Sequence, residues 1–346
     1  MNRTNQISAN AVPYVIVVFL LVTLLASRSY AETCVGTSLR ICVDFISAGN
    51  PVFPNDFNVV GDNLILKIGA EDWRVWSQVS ASDTTPADFG SITLNPTVPA
   101  DNFEVEIKNG TTGGAGAANV GSIVLDDAGF TGYSNLGATT IDGHVTGAIT
   151  LVDDGAMPPQ GGEVTGAVVI GLGVFPLGGV DGPITITKVS AFVTIFGSVD
   201  GSITITQVSA PVSIFGSVVG PITIPKINAS VSIYGDYGDD NASHNIDLGV
   251  IANNAGFSIG GDILSDETNT LAIDIEALGD IATGTAGSFA VGGSLTNPLA
   301  TVTITDMKVI AGAGSIVRFG GDFGGILDLK KGVPGAIADN IVKFIG

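Results

Sequence analysis

The chain has 346 residues, a formal net charge of −20 and only two histidines, and charged residues make up 13% of it. A hydrophobic fraction of 45% suffices for a packed core and argues against global disorder. The acidic balance argues against nucleic acid as a partner, because contacts to phosphate need clustered lysine and arginine. His144 and His244 are too few for a His-based triad or a His-rich metal site, and we expect both to be loop residues.

The N-terminal segment from Met1 to Ala31 has the pattern of a secretory signal peptide. Arg3 supplies a positive charge, residues 14 to 26 form an apolar run, and Ser29 and Ala31 place small residues where a signal peptidase reads them. The run is shorter than the roughly 20 residues that span a bilayer. We therefore predict cleavage after Ala31 and a secreted or cell-surface protein without a membrane span; retention as an N-terminal anchor is the alternative.

Cys34 and Cys42 are the only cysteines, and they follow the predicted cleavage site. In an exported chain we expect them to form a disulfide bond with each other. A redox role is the alternative, but the Cys-x-x-Cys spacing of redox motifs is absent.

Residues 32 to 130 are predicted to be a β-rich N-terminal cap region. Apolar and polar residues alternate in segments such as the one from Phe103 to Lys108, as they do in half-buried strands. A solenoid needs such a cap, because an open end exposes unpaired backbone and core side chains.

Residues 131 to 346 carry an internal repeat that is clearest from Gly182 to Tyr234. The phrase Gly-Pro-Ile-Thr-Ile-Thr-Lys-Val starts at Gly182, and close copies start at Gly201 and Gly220, which gives a period of 19 residues. Each copy is followed by a second phrase that consists of valine, a hydroxyl residue, isoleucine, an aromatic residue and glycine.

Similar phrases before and after these copies extend the repeat. Two phrases that begin Val-Thr-Gly-Ala start at Val145 and Val164, again 19 residues apart. Because Gly166 and Gly182 are 16 residues apart, we predict one shortened rung here. Gly-Gly-polar-apolar corners with unequal spacing, which predict rungs of unequal length, start at Gly260, Gly292 and Gly320.

The repeat predicts an all-β fold, a parallel β-helix (solenoid) with rungs of about 19 residues. Isoleucine and valine alternate with threonine, so one set faces inward and the other faces solvent. Glycine at the recurring corner indicates positive φ or a close backbone approach. A β-sandwich or a propeller is the main competitor, but propeller blades need about 40–50 residues. The two internal columns expected from stacked copies are Ile184, Ile203 and Ile222, and Val193, Val212 and Val231.

The phrase Gly-Ser-Ile-Thr-Ile from Gly201 and the Gly-Gly-Asp corners resemble the right-handed parallel β-helix of secreted bacterial adhesins and autotransporter passenger domains. The resemblance covers about residues 143–346 and concerns the shape of the backbone. Together with the export signal and the lack of a polar catalytic cluster, it predicts a non-enzymatic structural or adhesin-like protein. Polysaccharides or cell-surface components are the expected partners.

Phe196, Phe215 and Tyr234 recur at one position of the three copies. If they point outward, they form an aromatic ladder that suits the apolar faces of sugar rings; the alternative is a stack packed within a corner. An outward ladder would favour a second function, a carbohydrate-binding or polysaccharide-cleaving β-helix.

Asp236, Asp239 and Asp240 lie in an acidic loop after the third copy. Clustered carboxylates could hold Ca²⁺, the one cofactor that the sequence suggests, although the loop matches no EF-hand. Asp239 and Asp240 would be the candidate acid pair of a β-helix glycosidase. A solvated loop is the alternative to both.

Thr-x-Thr pairs at Thr185 and Thr204 form a short ladder on one face, and the third copy breaks it with Pro225. Ice-binding solenoids use flat arrays of this kind, which makes ice binding a third functional hypothesis. Threonine is also the default residue of a solvent-facing strand.

Overall fold

The computed structural model describes 16 segments of the chain. They are residues 33–36, 40–45, 51–67, 72–78, 88–95, 102–107, 119–125, 135–152, 162–171, 178–239, 243–252, 254–265, 270–278, 287–307, 316–329 and 341–344. The predicted signal peptide lies outside these segments. Within them, no helix has the length and apolar character needed to cross a membrane.

The predicted parallel β-helix is confirmed. Strands of successive coils stack side by side in parallel, at the spacing of about 4.8 Å that is usual for paired strands. A typical coil contributes one strand to each of two faces and one residue to a column of single β-bridges. The first three strands of the described chain lie outside the two faces. They are β1 (Thr33–Val35), β2 (Arg40–Phe45) and β3 (Phe57–Val60).

In the described segments, the first face and the second face each contain eleven strands. The first face consists of β4 (Asn63–Leu66), β6 (Phe89–Leu94), β8 (Val120–Leu125), β10 (Ile149–Leu151), β13 (Ile184–Val189), β15 (Ile203–Val208), β17 (Ile222–Ile227), β19 (His244–Ile251), β21 (Leu271–Leu278), β23 (Thr301–Met307) and β25 (Ile326–Leu329). The second face consists of β5 (Asp72–Gln78), β7 (Asn102–Ile107), β9 (Asn135–Ile141), β12 (Val168–Ile170), β14 (Val193–Ile195), β16 (Val212–Ile214), β18 (Val231–Ile233), β20 (Gly256–Ile259), β22 (Ser288–Val291), β24 (Ile316–Phe319) and β26 (Ile341–Phe344). The short β11 (Glu163–Val164) pairs with β9 and β13.

The bridge column is formed by residues that pair singly from coil to coil. From Val180 to Tyr237 the step between its members equals the period of the sequence repeat, and elsewhere it is longer, so the predicted rung length holds in the central coils. Except for the last, its members are buried. They are Val120, Val145, Val180, Val199, Val218, Tyr237, Ile263, Leu295 and Phe323.

Antiparallel pairing is found near the N-terminal end of the described chain, where β1 pairs with β2, β2 with β5, and β3 with β4. Parallel pairing begins with β4 and β5, inside the segment predicted as the cap region, and runs on past residue 131. The domain boundary at residue 131 stays a prediction. Cys34 and Cys42 face each other across β1 and β2, and the predicted disulfide bond between them is confirmed.

The predicted internal columns are also confirmed. Ile184, Ile203 and Ile222 are direct partners in successive coils, and the valine column of the second face has the same register. At the corner between the bridge column and the first face, a Cβ on Gly201 would collide with the carbonyl group of Gly182 in the preceding coil. Close approach of backbone to backbone, and not positive φ, is therefore the reason for glycine here.

The predicted shortened rung is wrong. Ile149 pairs with Ile184, so this coil has 35 residues. Val164 pairs with Val189, whereas Val145 pairs with Val180, so the two Val-Thr-Gly-Ala phrases lie in different halves of one coil. The reason is that both halves of a coil need the same sequence: a buried valine, a small corner residue and a short strand.

Candidate functional site

Phe196, Phe215 and Tyr234 lie on the outside of the second face. Each directly follows a strand whose last residue is a buried isoleucine, so the alternation of the strand turns the aromatic side chain outward. Phe215 is 42% exposed and Tyr234 is 55% exposed. We call these three residues the aromatic ladder.

The rings of the aromatic ladder are stacked on one another. The centroids of Phe196 and Phe215 are 5.3 Å apart with an interplanar angle of 13°, and those of Phe215 and Tyr234 are 4.6 Å apart at 7°. A buried stack in the same face shows the contrast, since Phe257 and Phe289 lie nearly parallel inside the core. The chain thus keeps one aromatic stack in the core and exposes another.

A row of hydroxyl side chains runs beside the aromatic ladder. In each coil the hydroxyl residue lies two positions before the ladder position. Thr194, Ser213, Ser232 and Ser258 are partners in successive coils of the second face. The Ser258 hydroxyl donates to the Ser232 hydroxyl at 3.1 Å. Phe192, on the far side of this row, is 42% exposed. Thr194, Ser213 and Ser232 recur with the period of the repeat, and this recurrence is the signal by which the sequence could have identified the row.

Side chains at the corner before the bridge column form a second ladder, which we call the corner ladder. At each step a side-chain oxygen or nitrogen accepts a hydrogen bond from the backbone N–H at the equivalent position of the next coil. Gly179 interrupts it because glycine offers no acceptor. The acceptor and donor pairs are Asp88 and Asn119, Asn119 and His144, His144 and Gly179, Ser198 and Ser217, Ser217 and Asp236, Asp236 and Asp262, Asp262 and Ser294, and Ser294 and Asp322.

The acidic residues suggested as calcium ligands are engaged in different contacts. Asp236 belongs to the corner ladder, and its Oδ1 accepts from the N–H of Asp262 at 2.8 Å. Asp239 Oδ1 lies 3.0 Å from Nε2 of His244. Asp240 lies outside the described residues. In the described part of the chain, no three acidic, histidine or cysteine side chains are grouped so that they could hold a metal. Calcium binding stays a prediction.

The two histidines have different surroundings. His144 Nδ1 accepts from the N–H of Gly179 at 2.7 Å, which leaves the ring proton on Nε2, 2.6 Å from Asp181 Oδ1. The expectation of a loop residue is wrong for His244, which is the first residue of β19 and is buried. Its ring meets that of Tyr237 edge to face, with centroids 5.9 Å apart.

Tyr237 is the largest residue of the bridge column and is fully buried. Its hydroxyl donates to the carbonyl oxygen of Asn245 at 2.9 Å. Burial raises the pKa of Tyr237 well above its ordinary value, because the phenolate would lose its hydration.

Threonines of the first face form a longer column than the sequence suggested. Thr150, Thr185, Thr204 and Thr223 are partners in four successive coils, and Asp247 takes the position in the next coil. The parallel column, at the second threonine of each Thr-x-Thr pair, has threonine in only two of the predicted copies before Pro225. A wide, flat threonine array is therefore not formed in this described region, and ice binding stays a prediction.

Comparisons with protein-family models, with curated proteins and with solved structures found no match to this chain.

Proposed function

We propose that the protein is a secreted or cell-surface β-solenoid, adhesin-like in type, that binds carbohydrate without cleaving it. The aromatic ladder supports this proposal. Exposed apolar surface on a folded domain commonly marks an interaction site. Aromatic rings beside hydroxyl groups suit sugars, whose rings have apolar C–H faces and hydroxyl edges.

The contacts of the nearby acids support binding without cleavage. A glycosidase needs a pair of carboxyl groups poised over the scissile bond. Asp236 accepts a backbone hydrogen bond within the corner ladder, and Asp239 lies against His244. These contacts engage both acids within the solenoid, and Asp240, the other member of the candidate acid pair, lies outside the described residues. The disulfide bond between Cys34 and Cys42 is consistent with an oxidising, extracellular location.

A pull-down on a panel of insoluble and soluble polysaccharides, with released sugars assayed in the same tubes, tests this proposal. The protein is expressed with its own export segment and compared with Phe215→Ala, which removes the middle ring. We expect binding without sugar release, and about tenfold weaker binding of the variant, which corresponds to about 1.4 kcal/mol.

Thr204→Ala, on the first face, is the matched control and should bind like the unaltered protein. Absence of binding to every polysaccharide would contradict the proposal. Release of sugars would contradict its non-enzymatic part and direct attention to Asp239 and Asp240.

A further inference from the structure

The stacking of the aromatic ladder limits which ring faces a ligand can reach. Phe215 has a ring on each side of it, at 5.3 Å and 4.6 Å, so a sugar could meet only its edge. The two end residues, Phe196 and Tyr234, each have one ring face turned away from the stack. Exposure is greatest at Tyr234, at 55%, whereas Phe196 is half-buried.

The position beyond Tyr234 in the next coil is Gly260. Its N–H donates to the carbonyl oxygen of Ile233, just as the N–H of Tyr234 donates to that of Ile214, so the two residues occupy equivalent positions. Gly260 has no side chain to cover the Tyr234 ring. A Cβ on Gly260 would lie 2.8 Å from the carbonyl oxygen of Tyr234, so packing keeps this residue a glycine. The fold thereby leaves the ring face open.

The charges around this ring face favour an uncharged ligand. Asp236 and Asp262 lie at the neighbouring corner, each shortly after a ladder position. Lys226 is the one lysine or arginine in the sequence between Val189 and Met307, and it belongs to β17 of the first face. On the second face, exposed Arg318 lies three coils beyond Tyr234, on the column that contains Ser232 and Ser258, which is about 14 Å away at the usual spacing of paired strands. The carboxylates are therefore the nearer charges, and they would repel an anionic glycan stacked on Tyr234.

We infer that Tyr234 is the residue of the ladder on which a sugar ring stacks, and that the ring belongs to a neutral glycan. The Ser232 and Ser258 hydroxyls belong to the neighbouring row on the same outer surface, two residues before Tyr234 and Gly260, and are placed to exchange hydrogen bonds with the sugar hydroxyls. Phe215 packs against the other face of the Tyr234 ring and supports its orientation. This inference rests on the proposed carbohydrate binding and narrows it to one ring face and one class of glycan.

The test uses a printed array of neutral, carboxylated and sulfated glycans, followed by titration calorimetry with the strongest soluble binder from the array. We expect the bound glycans to be neutral. Tyr234→Ala should weaken binding at least tenfold, and Tyr234→Phe, which keeps the ring, should stay within about threefold of the unaltered protein. Phe196→Ala, at the other end of the stack, should change the affinity less than threefold. Circular dichroism of each variant verifies that the β-fold is retained.

Two outcomes would overturn the inference and leave carbohydrate binding intact: a preference for anionic glycans, or a loss with Phe196→Ala as large as that with Tyr234→Ala. If no glycan on the array is bound, the proposed function and the inference both fail. If Tyr234→Ala alters the fold, the Tyr234→Phe and Phe196→Ala variants and the array result still decide.

Discussion

At the scale of single residues, Tyr237 shows that a polar side chain in the bridge column must be buried with its hydroxyl hydrogen-bonded. Its neighbours in the column are Val218 and Ile263, and the larger ring is accommodated with full burial. A buried hydroxyl needs a partner, and the Asn245 carbonyl oxygen supplies it. Tyr234, by contrast, is exposed, so the two tyrosines form a natural pair for comparison.

The raised pKa of Tyr237 predicts a loss of stability at alkaline pH. The pKa of an unfolded tyrosine is about 10, and burial raises that of the folded Tyr237. Above pH 10 the unfolded chain releases a proton that the folded chain retains, so the free energy of unfolding falls by up to about 1.4 kcal/mol per pH unit from this residue. Urea unfolding between pH 8 and pH 11 measures the effect.

Tyr237→Phe should remove this contribution and flatten the pH dependence, while lowering stability at pH 8 by about 1 kcal/mol through loss of the hydrogen bond. Tyr234→Phe, which removes the hydroxyl of an exposed tyrosine, is the control for the substitution and should change the stability at pH 8 by less than about 0.5 kcal/mol. Equal slopes for Tyr237→Phe and the unaltered protein would contradict the prediction, because they would mean that folding does not raise the pKa of Tyr237.

At the scale of elements, the fixed period of the three central copies was sufficient to predict the parallel β-helix and the register of its central columns. The period was insufficient to show that Val145 and Val164 occupy different positions of a coil. Each coil contains two halves of similar sequence, and in the longer coils the spacing between equivalent residues no longer equals the period. The same short sequence therefore occurs both before a strand of the first face and before a strand of the second face. The pairing of strands, such as that of Ile149 with Ile184, distinguishes a half-coil from a whole one.

The same limit applies to the candidate site. The recurrence of Phe196, Phe215 and Tyr234 predicted a ladder, since equivalent positions of a solenoid stack. Which ring face stays open depends on Gly260, which lies more than one period after Tyr234 and so could not be aligned with it from the sequence. The corner ladder was missed for a related reason, because serine, aspartate, asparagine and histidine alternate in it and only their role as acceptors is shared.

The corner ladder predicts a measurable contribution from each acceptor. Asp262 Oδ1 accepts from the N–H of Ser294 at 2.6 Å, and Asp262→Ala would leave this N–H without the side-chain acceptor. By analogy with helix capping, we expect a loss of about 0.5–2 kcal/mol in the free energy of unfolding, measured by urea titration. The Ser294 amide should also exchange its hydrogen faster.

Asp262→Asn is the matched variant, because its side-chain oxygen can still accept the same bond. It should unfold within about 0.5 kcal/mol of the unaltered protein. A loss as large as that of the alanine variant would mean that the charge of Asp262, and not its hydrogen bond, stabilises the corner.

At the scale of the whole molecule, contacts in a solenoid are made mainly between adjacent coils, so stability varies along its length. The coils that carry β15 and β17 follow one another without insertions, and each of these strands is paired on both sides. Among the described strands, β3 pairs with β4 alone, and its Val60 is exposed. Local opening should therefore cost less free energy at β3 than in the central coils.

Hydrogen exchange followed by mass spectrometry tests this gradient. Amides of β15 and β17 should exchange at least about tenfold more slowly than those of β3, since each factor of ten corresponds to about 1.4 kcal/mol of opening free energy. Uniform protection across these strands would instead indicate that the solenoid opens as one cooperative unit. The aromatic ladder lies beside β14, β16 and β18, in the same central coils, so the proposed glycan-binding surface lies on coils that are predicted to open less readily than β3. A rigid platform suits stacking of a sugar on a fixed ring, because little side-chain entropy is lost on binding.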